Sequence, residues 1–147
     1  MRNKLIALAL ALLAAPLAAQ NITAPYAVIP DGITVEEVLV HGATLEGNLE
    51  GNSADRPVMV VLPPSYADSP TRHYPVVYYL HGFAISGRDF YDYMQVPTAV
   101  ADNAAEGREF IVVVPDTLTA MGGSMYSNSV TVGNFRDFIA TDLVAYI

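Results

Sequence analysis

The stretch VVYYLHGF at residues 76–83 decides the fold, because its continuous apolar run leads directly into a His-Gly pair. Similar runs lie on either side of it along the chain: VMVVL at residues 58–62 and IVVV at residues 111–114, each followed at once by proline. Short apolar runs that are continuous rather than alternating are typical of strands buried on both faces of a sheet. We therefore predict three strands of this kind.

Two segments carry helical patterns. One lies between the second and third runs, with Pro97 in its first turn and Gly107 just past its end. In the other, residues 134–147, apolar side chains recur at helical spacing, and Asn134 followed by Asp137 resembles an N-cap pair. The order strand, helix, strand, helix predicts an α/β fold with a largely parallel sheet and flanking helices.

A further strand is predicted upstream of these runs. Residues 33–40 are rich in β-branched side chains and lead to His41-Gly42, which suits a turn. Residues 43–49 are predicted to return as the second strand of a hairpin. The polar residues 50–56 would then close this unit.

Composition and charge exclude several classes of function. Of the 147 residues, 7 are Lys or Arg and 15 are Asp or Glu, and the net charge of −8 argues against a nucleic-acid partner. The chain has no cysteine, which excludes disulfides, cysteine-ligated metals and cysteine nucleophiles. The carboxylates are dispersed, and Asp89, Asp92 and Asp102 are predicted to lie on solvated helix faces. We therefore predict no metal and no cofactor.

The first nineteen residues have the pattern of a secretory signal peptide. A cationic start, MRNK, precedes a Leu/Ala-rich run at residues 5–17, and small residues follow. We predict cleavage after Ala19, which leaves a periplasmic or secreted protein with no membrane segment. The alternative is an uncleaved anchor or a buried helix, although the run is short for spanning a bilayer.

The His81-Gly82 pair is the main chemical signal in the sequence. It follows a predicted buried strand, and in α/β-hydrolases the corresponding loop donates a backbone N–H to the oxyanion hole. On this interpretation the donor is the amide of Phe83. The alternative is an ordinary strand-to-loop turn with a partly buried histidine.

Five segments, in order, resemble the putative esterase family, which includes esterase D-like, enterochelin esterase-like and feruloyl esterase-like proteins. The family is similar to the antigen 85 mycolyltransferases. The resemblance covers residues 45–147 and implies an α/β-hydrolase fold, a Ser-His-Asp/Glu triad and hydrolysis or transfer of an acyl ester. The segments are VMVVLPPSY at 58–66, YPVVYYLHG at 74–82, IVVVPD at 111–116, GSMYSNS at 123–129, and GNFRDF at 133–138 followed by Asp142-Leu143.

The nucleophile motif that the resemblance implies, Gly-x-Ser-x-Gly, is not found in the sequence. Its nearest match is GGSMY at residues 122–126, where Tyr126 replaces the second glycine and no predicted strand leads into Ser124. The implied order along the chain is serine, acid, histidine. All the histidines precede Ser124, so none can be the late base; they are His41, His73 and His81.

The final predicted helix reaches the last residue without a capping residue or a polar tail, where a further strand would be expected. We therefore predict that residues 20–147 are the N-terminal part of an α/β-hydrolase domain, truncated before the nucleophile. The triad would lie in a longer parent protein, and this chain alone would be inactive.

Several other residues are candidates for substrate binding. Asp116 follows a buried strand and either lines the cleft or caps a turn. The resemblance places the loop at residues 122–128 near the acyl pocket, although it is equally an ordinary surface loop. The full set of predicted substrate-binding residues is His81, Gly82, Asp116, Ser124, Tyr126 and Asn128.

These observations favour an exported serine carboxylic-ester hydrolase, represented here by its N-terminal part. Its substrate would be a small-molecule or polysaccharide-linked acyl ester. The alternative is a non-catalytic binding or carbohydrate-recognition protein on a partial hydrolase scaffold. A partial sheet would leave an unpaired edge, which favours aggregation and argues against this alternative.

Overall fold

A computed structural model describes residues 26–147, and a four-stranded sheet lies at its centre. The signal peptide predicted at residues 1–19 lies outside the described residues. The strands are arranged in the order β1-β2-β4-β3. They are β1 (Thr34–His41), β2 (Asp55–Leu62), β3 (Val76–Tyr78) and β4 (Ile111–Pro115).

The sheet is mixed, so the prediction of a largely parallel sheet is wrong for these strands. Strands β1 and β2 are antiparallel, with Thr34 opposite Leu62, and β2 and β4 are also antiparallel. Only β3 and β4 run parallel, with Val76 opposite Ile111. These two strands are joined by a helical crossover, which is the connection that parallel neighbours require.

The predicted hairpin at residues 43–49 does not form, because the partner of β1 is β2. Residues Ala43–Leu45 form a short 3-10 turn that buries Leu45 completely in the core. After it, the Asn48 side chain donates to the Leu45 carbonyl and accepts from the Asn52 amide, which fixes a loop. Core burial and side-chain bonding to the backbone therefore override the strand pattern.

Two helices lie where the sequence predicts them, although their caps and internal hydrogen bonding differ from the prediction. The predicted Pro97 and Gly107 boundaries are confirmed for α2 (Val96–Ala105), where Pro97 lies in the first turn and Gly107 has φ +79°. In the described part of the chain, no helix is long and apolar enough to cross a membrane. The helices are α1 (Gly87–Tyr93), α2 (Val96–Ala105) and α3, which consists of Phe135–Asp137, a π-helical Phe138–Leu143 and Val144–Tyr146.

The predicted Asn134 cap of α3 is wrong, because the Asn134 side chain makes no capping bond. Asn134 instead pairs with Asn128 in a small hairpin, β5 (Asn128–Ser129) and β6 (Gly133–Asn134). The Asn128 side chain therefore lies beside the start of the helix. Its carbonyl oxygen accepts from the Asp137 amide at 3.2 Å, and its amide group donates to the Asp137 carboxylate at 2.7 Å.

Two apolar clusters cover the two faces of the sheet, so β2 and β4 are buried on both faces as predicted. Strand β3 differs: Val76 and Val77 are 37% and 43% exposed, because β3 is an edge strand within the described residues. One cluster joins the sheet to α3 and comprises Val40, Leu45, Val58, Val60, Leu62, Val113, Phe135, Phe138 and Leu143. The other joins it to α1 and α2 and comprises Ile33, Met59, Val61, Tyr91, Val96, Val100, Val112 and Val114.

Asp92, predicted to be solvated, is buried near the end of α1. Its carboxylate accepts from the Ala27 amide at 2.8 Å and from Arg88 Nε at 3.0 Å. A buried carboxylate requires such partners to replace its hydration. Asp92 therefore ties the segment before β1 to the helix, a contact between distant parts of the chain that a local pattern cannot show.

We expect Ser86→Ala to lower the free energy of unfolding by about 1 kcal/mol. Ser86 is the N-cap of α1: its hydroxyl accepts from the Asp89 amide at 3.0 Å and donates to the Asp89 carboxylate at 2.7 Å. Urea unfolding, with Ser69→Ala as the matched control in a loop, measures the difference. Equal losses for the two variants would contradict the capping role.

His41 should contribute to stability only at lower pH. Its hydrogen bond to Asp55 at 2.7 Å, and then that to Glu46 at 3.1 Å, raise the pKa of His41 above its ordinary 6.5. A raised folded-state pKa means that the contribution is complete below pH 6.5 and is lost as pH rises through the folded value. We expect His41→Gln to destabilise the fold at about pH 5.5 and to have little effect at about pH 8.5. NMR titration of the imidazole checks the pKa directly, and a value at or below 6.5 would contradict the prediction.

Candidate active site

A cavity of about 210 Å³ lies where the chain leaves the carboxyl ends of β3 and β4. Ligand sites of open α/β sheets are found at this edge, since parallel neighbours direct their loops to the same side. The predicted residues His81, Gly82, Phe83, Ser124 and Tyr126 are brought together here. The cavity is lined by these five together with Thr117, Gly123 and Met125.

His81 is buried, at 3% exposure, and both of its ring nitrogens are engaged. The Thr117 amide donates to Nε2 at 2.8 Å, so Nε2 is unprotonated and the proton resides on Nδ1. Nδ1 lies 2.8 Å from the Gly82 carbonyl and donates to it. The imidazole therefore joins the loop after β3 to the loop after β4.

Phe83 presents its backbone N–H without an acceptor anywhere in the described part of the chain. Phe83 is 62% exposed, and its ring lies against Gly122 and Gly123. A Cβ atom at Gly122 would be 2.8 Å from the ring's Cζ, and Gly122 has φ +88°. The adjacent Ala84 amide donates to the Gly122 carbonyl at 2.7 Å, which holds the two loops together.

Tyr126 approaches the same loop from the other side. Its hydroxyl donates to the His81 carbonyl at 2.8 Å, and its ring meets the imidazole edge-on, with centroids 6.1 Å apart. Burial raises the pKa of Tyr126 above its ordinary value, so the hydroxyl stays protonated at neutral pH. Tyr126 and the preceding Met125 both have positive φ, at +49° and +54°.

Ser124 is buried beside the cavity, and its hydroxyl is engaged in a turn. Its Oγ accepts from the Tyr126 amide at 3.2 Å, while its carbonyl accepts from the Ser127 hydroxyl at 3.3 Å. The nearby imidazole of His81 is already committed to the Thr117 amide. This geometry is that of a local ST turn rather than of a serine held by a general base.

Asp116 and Asn128 are not among the residues that line the cavity. Of the two interpretations of Asp116, the structure shows the turn cap: its carboxylate accepts from the Leu118 amide at 2.9 Å and the Gly87 amide at 3.1 Å. It also pairs with the buried Arg56 at 2.8 Å. Asn128 is exposed and bonds to Asp137, as described above.

Sequence reasoning missed two residues that shape this region. Thr117 lies directly after Asp116 at the end of β4, and the carboxyl-end rule that selected Asp116 applies equally to it. Arg56 is a lone cation at the start of an apolar strand, and a charge in such a run requires a buried partner. Within residues 26–147, no group of three or more acidic or histidine side chains is arranged to hold a metal ion.

Two of three comparisons with known proteins find a match. The family model described as "Putative esterase" matches residues 52–146. A search of the curated proteins finds no match. Among solved structures, a ferulic acid esterase matches with a TM-score of 0.60 and 21% identity, over 84% of this chain and 43% of that one.

A second similar structure is a CE1 ferulic acid esterase from the anaerobic fungus Anaeromyces mucronatus. It matches with a TM-score of 0.53 and 23% identity, over 83% of this chain and 46% of that one. The same enzyme in complex with ferulic acid gives a TM-score of 0.53 and 23% identity, over 82% and 45% of the two chains. The chain thus spans less than half the length of the structures it matches.

Proposed function

The chain belongs to the putative esterase family, and from that membership we propose that it forms the oxyanion side of a serine carboxylic-ester hydrolase. The observation that carries the proposal is that Phe83 lines the cavity and that its backbone N–H has no acceptor within residues 26–147. An unpaired backbone donor in a fixed loop is the feature that an oxyanion hole requires. The serine, acid and histidine of the triad would be supplied by the rest of a longer protein.

In this proposal the substrate carbonyl lies in the cavity with its oxygen toward the Phe83 amide. Nucleophilic attack turns that oxygen into an oxyanion, and the hydrogen bond from the amide strengthens as the charge develops. The loop needs little reorganisation, because His81, Tyr126 and Gly122 already hold it. The contribution of one such donor is about 3 kcal/mol in the transition state.

The proposed substrate is a small-molecule or polysaccharide-linked acyl ester. The exposed side chains of Phe83 and Met125 at the cavity offer apolar surface for an acyl group. We further propose that the protein is exported, on the basis of the signal peptide predicted at residues 1–19. Mass spectrometry of the mature protein should then give an N-terminus at Gln20.

The test is to follow the reading frame through codon 147 in the source DNA and to express the whole product. We expect the frame to encode a Gly-x-Ser-x-Gly motif and, later, an acid and a histidine. The product should hydrolyse p-nitrophenyl acetate and methyl ferulate, and a serine-directed phosphonate should abolish this activity. The matched control replaces the motif serine with alanine.

Two outcomes would contradict the proposal. One is a stop codon directly after Ile147 in the source DNA, which would favour the non-catalytic binding protein. The other is a folded full-length product that is inert on both esters and indifferent to the phosphonate.

A further inference from the structure

We propose that Tyr126 is a positioning residue that orients the Phe83 amide through the His81 carbonyl. This inference rests on the proposed function, because it concerns the same oxyanion donor. The contact that carries it is the hydrogen bond from the Tyr126 hydroxyl to the His81 carbonyl oxygen, at 2.8 Å.

Two successive peptide planes lead from His81 to Phe83, and each is held by one hydrogen bond. The first plane contains the His81 carbonyl and is held by Tyr126. The second contains the Gly82 carbonyl and the Phe83 N–H, and it is held by the His81 imidazole at 2.8 Å. In a planar trans peptide the C=O and N–H point in opposite directions, so fixing the Gly82 carbonyl also fixes the Phe83 N–H.

Gly82 is the joint between these two planes. Glycine has wide backbone freedom, and a Cβ at this position would meet no atom within 4 Å, so packing does not restrict it. Without the Tyr126 hydroxyl, the first plane can rotate about the backbone bonds of His81 and Gly82, and the His81 imidazole alone then holds the plane that carries the Phe83 N–H. The hydrogen bond from Tyr126 therefore restricts a backbone rotation that Gly82 leaves free.

The backbone around Tyr126 indicates that its position is enforced. Met125 and Tyr126 are consecutive residues with φ of +54° and +49°, a conformation that is strained for side chains other than glycine. Such strain persists only where surrounding contacts determine it. Here the Ser124 hydroxyl accepts from the Tyr126 amide, and the phenol reaches His81.

The first experiment compares Tyr126→Phe with Tyr74→Phe. Tyr74 is the matched control, since its hydroxyl also makes one hydrogen bond, to Ser65 at 2.7 Å, among residues that do not line the cavity. In the product of the whole reading frame, NMR order parameters of the backbone amides should fall at Gly82 and Phe83 in Tyr126→Phe only. Unchanged order parameters at both amides would overturn the inference.

The second readout is kinetic and uses the full-length product. We expect Tyr126→Phe to lower kcat about tenfold to a hundredfold with KM nearly unchanged, when kcat is expressed per phosphonate-titrated site. A purely structural role would lower the number of titrated sites and leave kcat per site unchanged, and that result would overturn the inference. A wild-type product inert on esters would instead reject the proposed function, while the comparison of order parameters would still test the positioning.

A second variant covers the case in which Tyr126→Phe does not fold. Placing 3,5-difluorotyrosine at position 126 keeps the ring and the hydroxyl but makes the phenol more acidic. The ionised phenol cannot donate to the His81 carbonyl. We therefore expect the order parameter of the Phe83 amide, and kcat, to fall at a lower pH than in the unmodified protein, and coincident pH profiles would overturn the inference.

Discussion

Arg56→Ala is expected to lower the free energy of unfolding by about 3–5 kcal/mol, because it leaves the largely buried carboxylate of Asp116 without its counter-charge. Arg56 is only 8% exposed and pairs with Asp116 at 2.8 Å. Its guanidinium also donates to the carbonyls of Asp116 and Leu118, at 2.9 and 2.7 Å. Removing it abolishes all three bonds at once.

The Arg56–Asp116 pair is bonded to two other parts of the fold, which explains the size of the expected loss in the free energy of unfolding. Asp116 accepts from the amide of Gly87, at the start of α1, and from that of Leu118 in the loop that borders the cavity. A small domain is stable by only about 5–15 kcal/mol, so the variant should be close to unfolding at ambient temperature.

Urea denaturation followed by circular dichroism measures the loss. The matched control is Arg108→Ala, since Arg108 pairs with Glu106 on the surface, where both side chains are more than half exposed. That variant should change the free energy of unfolding by less than about 1 kcal/mol. A loss below 1 kcal/mol in Arg56→Ala as well would show that the buried pair is not important for stability.

Phe83→Pro should have the largest effect on activity, lowering kcat of the full-length product by about 10²–10³-fold. Proline has no backbone N–H, so the substitution removes the proposed oxyanion donor itself. It breaks no internal hydrogen bond, because the Phe83 amide has no acceptor in the described part of the chain. The preceding residue is Gly82, whose backbone freedom accommodates the restriction that proline imposes on its neighbour.

The matched control is Phe83→Ala, which removes the ring but keeps the N–H. We expect it to retain most of kcat and to raise KM, because the exposed ring offers binding surface at the cavity. Steady-state kinetics on p-nitrophenyl acetate separate the two variants. Equal losses of kcat would show that the ring is important and that the amide is not the donor.

Much of the fold could be predicted because its signals are local. Pro97 and Gly107 mark the ends of α2 by their own backbone preferences. The apolar runs of β2 and β4 reflect burial on both faces, which the sequence displays directly. The failures involve distant contacts: Leu45 packs against α3 rather than in a strand, and Asp92 bonds to the segment before β1.

The candidate site was predicted in part for the same reason. The His81-Gly82 pair is visible as a motif, and its place after an apolar strand locates it at the carboxyl end of the sheet. The bond between Tyr126 and His81 spans 45 residues, and no spacing rule connects the two. The ion pair between Arg56 and Asp116 likewise depends on the pairing of β2 with β4.

The contact between the Phe83 ring and Gly122 has a consequence for how this family varies. A Cβ at position 122 would lie 2.8 Å from the ring's Cζ, so a side chain there would displace the exposed ring from the loop. The backbone at Gly122 also has φ +88°, a left-handed conformation that favours glycine whatever residue occupies position 83. Relatives that keep this loop conformation should therefore keep glycine at the position of Gly122, and a side chain there should be found only where the loop after β4 follows another path.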